Sequence, residues 1–219
     1  MQNTFEKKLS GLIAHRNKCF YIHKKIFLTL SVILLLGIVF GISIFDSIYS
    51  EKALKTVWIS DHFNKAIASC STFSDFFSVI LKRSEADIRT LIFIFITGFT
   101  YFCFPVAGSM ILAKGFVTGF SFFYLISCND YMISRFAYVE SIALSVFFVI
   151  SKLIACLITV YLAMSSYIFS YKFREVKSNS SILRRAPVTY RYFYTFIYSV
   201  GGILLINTCY CIILNNIIK

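Results

Sequence analysis

The chain has 219 residues, of which 58% are hydrophobic and 15% charged, with 22 Lys and Arg against 10 Asp and Glu and a mean hydropathy of +0.76. A soluble globular domain carries about 25% charged residues, so this composition excludes an ordinary soluble fold and points to an all-α, polytopic integral membrane bundle. Nucleic-acid binding is set aside as a source of the +12 net charge. The basic residues gather in two short segments beside apolar blocks, as juxtamembrane segments facing an anionic leaflet do.

Residues 1–25 form a basic tail, with Lys7, Lys8, Arg16, Lys18, Lys24 and Lys25 against Glu6. The run "IFLTLSVILLLGIVFGISIF" over 26–45 follows, 20 residues without a charge. At about 1.5 Å per residue it can cross a hydrocarbon core of about 30 Å. It is too long for the apolar region of a secretory signal, and no small-x-small cleavage site follows it. Gly37 and Gly41 give this expected first span a small-residue face, of the kind that lets helix backbones approach closely.

The segment 46–89 holds six basic and six acidic residues and reads as an outer loop. Ala53 and Val57 sit at helical spacing, Trp58 suits a headgroup interface, and Phe73, Phe76, Phe77 and Ile80 fall on one helical face. Two short amphipathic helices lying on the outer leaflet or over the span ends fit this pattern, and so does a simple linker. If a partner binds outside the membrane, Trp58, Phe73, Phe76 and Phe77 are the candidate contacts.

Thr90–Ile126 is 37 residues interrupted only by Lys114, about 55 Å as one helix and too long for a single crossing. Either it makes two spans, 90–113 and 115–127, turning at "AKG", or one span followed by a re-entrant or kinked helix. Pro105 disfavours a straight helix around it, and a break at membrane depth requires surrounding protein. This central hairpin is therefore expected inside the bundle. Gly115 and Gly119 form a second small-residue pair, with Gly108 near the same face. Two such pairs on separate helices predict an intramolecular contact, homo-oligomerisation being the competing use. At a cytoplasmic turn Lys114 would be a snorkelling anchor; in a continuous helix it would line a cavity.

The next span, 141–171, contains Lys152 close to mid-membrane, facing the bundle interior or marking where an interfacial helix meets a shorter span over 153–171. The segment 172–192 is basic, with six Lys and Arg against Glu175, and 193–218 is an uncharged last span that includes Asn207 and Asn215. The positive-inside rule then places the N-terminus, the Lys114 turn and 172–192 in the cytoplasm. The loops 46–89 and 127–140 and the C-terminus fall outside. Five spans in a bacterial cell membrane satisfy every loop.

Catalytic chemistry is poorly provided for. His15, His23 and His62 lack metal-ligand spacing, and there is no Ser/His/Asp set or phosphate-binding glycine loop. None of the ten carboxylates lies inside an expected span, which speaks against a proton relay. Of seven cysteines, Cys209 and Cys211 lack the spacing of a redox or zinc pair, and a bridge between Cys70 and Cys128 on the outer side stays open. No catalytic, cofactor-binding or metal residue is assigned, and the expected function is non-enzymatic.

The order of features carries a resemblance. A glycine-bearing first span, a polar outer loop, a segment with glycine then proline ("GFTYFCFPVAGSMIL") and then "KGFVTGFSFFYL" together resemble the stage II sporulation protein M family of endospore formers. The matching positions are Gly37, Gly41, Pro105, Lys114, Gly115, Phe116, Gly119 and Phe120, and the likeness covers about residues 26–126. The fourth span departs from the family, carrying "FFVISKLIAC" in place of proline with nearby polar residues. The resemblance implies a membrane scaffold that holds peptidoglycan-degrading partners during forespore engulfment. Wider relatives accompany transporter components, so a permease-like or export-associated subunit working with an ABC-type transporter is the competing expectation. In both readings membrane lipids surround the chain and nucleic acid is no partner.

Overall fold

In a computed structural model of the chain the residues described are 24–45, 73–127, 138–178 and 182–218. They form five helices: α1, Lys24–Phe45; α2, Phe73–Thr97; α3, Cys103–Ser127; α4, Tyr138–Ser178; and α5, Ile182–Ile218. No strand occurs among the described residues. α1, α3, α4 and α5 each contain a stretch long and apolar enough to cross a membrane. Large apolar side chains such as Leu35, Phe40, Phe102, Leu157 and Tyr198 stand exposed around the bundle, an outer surface that only a lipid environment suits. Trp58, Cys70, Cys128 and the three histidines lie outside the described residues.

The break between α2 and α3 falls at 98–102, not at Lys114. α3 runs through Lys114 without interruption, so "AKG" is no turn and the division into 90–113 and 115–127 is replaced by α2 and α3. Pro105 is the third residue of α3. In a first turn its missing N–H has no intrahelical partner to lose, so it starts this helix and does not kink it. The hydroxyls of Ser109, Thr118 and Ser121 each donate back to the carbonyl four residues earlier, which satisfies them without leaving the helix.

α2 is the larger correction. It begins at Phe73, taking in residues that the sequence assigns to the outer loop, and packs against α3, α4 and α5. Ile80, Ser84, Asp87, Leu91 and Ile94 are all buried on it, a spacing of four and three that makes one continuous stripe. Phe77 points away, 58% exposed, so Phe77 and Ile80 do not share a face. α4 and α5 likewise extend beyond the spans 141–171 and 193–218, α5 starting within the basic segment.

The turn at 98–102 shows why the chain can reverse inside a bundle. The last carbonyls of a helix lack intrahelical donors, and here other donors reach them. The Ile94 carbonyl accepts from Thr97 Oγ1 at 2.8 Å and Ser166 Oγ at 2.9 Å. The Phe95 carbonyl accepts from Gly98 N and from the Tyr192 hydroxyl at 2.8 Å. The Thr100 carbonyl accepts from Ser170 Oγ and Arg174 Nη2, both at 3.0 Å. A Cβ at Gly98 would lie 2.5 Å from the Tyr192 hydroxyl, so only glycine lets α5 come close enough to cap this end. Tyr192 is also the middle ring of a stack, 4.3 Å from Phe169 and 4.8 Å from Phe95.

Contacts along the chain fix the directions. Gly108 faces Ile33, Gly115 faces Gly37, and Phe45 faces Phe120 and Phe123, so α1 and α3 run parallel. Phe169 meets Tyr192 and Phe148 meets Tyr210, so α4 and α5 are antiparallel. The start of α1, the turn at 98–102, the end of α4 and the start of α5 therefore share one end of the bundle. That end, called the basic end below, carries Lys24, Lys25, Lys172, Arg174 and Arg191.

Candidate functional site: a buried charged cluster between α2, α3, α4 and α5

Three helices bring charge to one point. Asp87 of α2 is 3% exposed and pairs with Lys114 of α3, itself buried; Lys152 of α4 lies with Nζ 4.0 Å from the other carboxylate oxygen. One turn back along α2, Ser84 Oγ accepts from Asn207 Nδ2 of α5 at 2.9 Å. Arg83 Nε donates to Asn207 Oδ1 at 3.2 Å. The Arg83 guanidinium lies 3.8 Å over the Tyr210 ring and 5.4 Å from Phe148, and Lys152 Nζ is 5.9 Å from Phe148. Arg83 Nη2 is buried with no hydrogen-bond partner among the described residues; the tyrosine face beneath the guanidinium supplies part of what that nitrogen lacks.

The register of α2 puts these groups together. Ser84 and Asp87 occupy the same stripe as Leu91 and Ile94, so burying the apolar part carries the polar part inward. Ten residues separate Asp87 from Thr97 at the end of α2, about 15 Å of helix and half the thickness of a hydrocarbon core. Between the cluster and the turn lies an apolar layer of Leu91, Ile94, Ile111, Val160, Leu162 and Ile203, none with measurable exposure. Thr118, one turn beyond Lys114, is 3.3 Å from Cys156 Sγ.

Ions at this depth persist only when they neutralise one another or face water. Asp87 does the first for Lys114, and shares its second oxygen with Lys152. With Arg83 beside Asn207 and Tyr210, the cluster holds three cations and one carboxylate and so keeps a positive excess. No group of three His, Cys, Asp or Glu able to hold a metal ion occurs among the described residues.

The small-residue faces lie elsewhere, between α1 and α3. A Cβ built at Gly37 would sit 3.1 Å from the Gly115 Cα and against the Leu112 carbonyl; one at Gly41 would sit 2.9 Å from the Phe120 amide. A Cβ at Gly115 would meet the Leu34 carbonyl, and one at Gly119 the Ile38 carbonyl. The two glycine pairs thus face each other within one chain. Phe116 and Phe120 flank this contact, Phe120 packing on Phe45 with ring centres 4.8 Å apart.

Of the positions that the sequence singles out, Lys114, Lys152 and Asn207 enter the charged cluster. Gly37, Gly41, Gly115, Phe116, Gly119 and Phe120 build the α1–α3 seam, and Pro105 opens α3. Phe73 and Phe76 begin α2, their side chains outside the description, and Phe77 stands exposed. Arg83, Ser84, Asp87 and Tyr210 are absent from that list. Asp87, which lies outside every expected span and in the expected outer loop, is buried within the bundle. No protein family, curated protein or solved structure matches this chain significantly.

Proposed function

We propose that this chain is a non-enzymatic membrane scaffold, similar in role to the stage II sporulation protein M family, that anchors peptidoglycan-degrading partners in a bacterial cell membrane through surfaces at the end opposite the basic one. The observation that carries the reading is the closure of the interior. The charged cluster is bounded toward the basic end by side chains without measurable exposure, and its one carboxylate is held by two lysines. A polar route through the bundle therefore stops at an apolar layer. What stays available to a partner is the outside, and Phe77, 58% exposed in the first turns of α2, belongs to such a surface. By the positive-inside rule the basic end is cytoplasmic and this far end external.

A second reading has its own support. A permease-like or export-associated subunit needs ionic groups at membrane depth, and Asp87, Lys114, Lys152 and Arg83 supply them. One experiment separates the two. In a scaffold Lys152→Met is tolerated, because Asp87 keeps Lys114 and Met retains the apolar stem. Replacing Phe73, Phe76 and Phe77 together by Ser removes the apolar contact area and abolishes recruitment while the protein still inserts. The measurement is membrane localisation of a co-expressed wall hydrolase, normalised to the level of the chain. A Lys152 variant that fails beside a working triple Phe variant would replace the scaffold with the permease.

A further inference from the structure

A groove runs down the outer face of the α4–α5 pair, away from both the charged cluster and the glycine seam. Its upper part, about 400 Å³, opens at the basic end between Lys172 and Arg191. Its lower part, about 500 Å³, continues past Tyr161 along Leu157 and Ile158. On α4 the wall residues Tyr161, Ser165, Ile168 and Lys172 recur at spacings of four and three, so they form one straight stripe. The 11 residues from Lys172 to Tyr161 span about 16 Å, close to half the thickness of a hydrocarbon core of about 30 Å.

We propose that this groove is a binding site for an anionic phospholipid, with its phosphate between Lys172 and Arg191 and an acyl chain along Tyr161, Ile158 and Leu157. Charge complementarity selects the occupant. Both cations are exposed at the rim, and neither enters an ion pair among the described residues. A basic mouth between helices above an apolar trough matches the two halves of a lipid. An acidic peptide would satisfy the mouth and leave the trough empty. A neutral lipid would fill the trough and leave two cations without a counter-charge.

The test uses the purified full chain in detergent, mixed with micelles of phosphatidylglycerol or phosphatidylcholine carrying identical acyl chains. Native mass spectrometry reads the lipid retained. Phosphatidylglycerol should be retained about thirtyfold over phosphatidylcholine, in line with two cations acting near a surface. The double substitution Lys172→Gln with Arg191→Gln, at exposed positions where folding is unaffected, should bring that ratio near one. Arg191→Lys should preserve it. Thr195→Trp, which fills the upper groove, should lose the lipid with both cations in place. Excess glycerol 3-phosphate should not displace it. Equal retention of the two lipids, a ratio that survives the double substitution, or displacement by glycerol 3-phosphate each overturns the proposal.

Discussion

Asp87 is held by Lys114 on one oxygen and approached by Lys152 on the other, so its two partners are not equivalent to mutation. Asp87→Asn leaves two lysines facing each other without a counter-charge in a low dielectric. Breaking a buried pair from one side costs about 3–5 kcal/mol, and a fall of that size is expected in the stability of the variant, measured by thermal or denaturant unfolding in detergent. Lys114→Met should cost more than Lys152→Met, because Lys152 stands farther from the carboxylate. The double variant of Asp87→Asn with Lys114→Met should cost less than the sum of its parts by at least about 1 kcal/mol. An Asp87→Asn protein as stable as the parent would rule the pairing out. Lys114, Lys152 and Asn207 are legible in the sequence because each interrupts an apolar run. Asp87 and Arg83 are hidden in "LKRSEADIR", where a solvated surface and a buried polar stripe have the same composition. Only the spacing of Ile80, Ser84, Asp87, Leu91 and Ile94 tells them apart.

Between elements, the α1–α3 seam depends on backbone contact and the rest of the bundle on side chains. Gly115→Leu and Gly119→Leu should each disrupt assembly, because the added atoms would occupy the space of the Leu34 and Ile38 carbonyls. Insertion itself should survive, since leucine is no less apolar. Gly201 offers the contrast. A Cβ there meets nothing within 4 Å, so Gly201→Ala should be neutral or stabilising by up to about 1 kcal/mol, the usual difference in helix propensity. Membrane-inserted protein level and monodispersity after detergent extraction would separate the classes; normal behaviour of both leucine variants would mean that this face does not pack. The glycine pairs are legible because close packing in membranes demands small residues at one spacing. The turn is less so. Length and the lone charge suggest a break at Lys114, whereas the physical requirements lie at Gly98, where Tyr192 approaches, and at Pro105, which fits a first turn.

Across the described residues, five helices alternating in direction place the start of α1, the 98–102 turn, the end of α4 and the start of α5 at one end. In the orientation proposed from positive-inside counting, that end is the cytoplasmic one. Single cysteines on a Cys-free background at Ser71 and Asn129 should therefore react with a membrane-impermeant thiol reagent in intact cells. Those at Ser10, Thr100 and Ser178 should react only after permeabilisation. Labelling at Ser178 without labelling at Asn129 would overturn this orientation. The span count is legible from hydropathy for α1, α3, α4 and α5. The span expected over 90–113 is not found as such: α2, charged in its first half, is not among the helices long and apolar enough to cross, and its place in the bundle follows from the partners those charges find.

The shared carboxylate also has a consequence in time. A ribosome delivers Asp87 27 residues before Lys114 and 65 before Lys152, so α2 reaches the membrane with its charge uncompensated. It cannot settle at depth as an independent segment. Its stable placement is expected to follow the arrival of α3 beside it, with α4 then completing the set. Synthesis order makes α2 the helix whose entry waits on its successors.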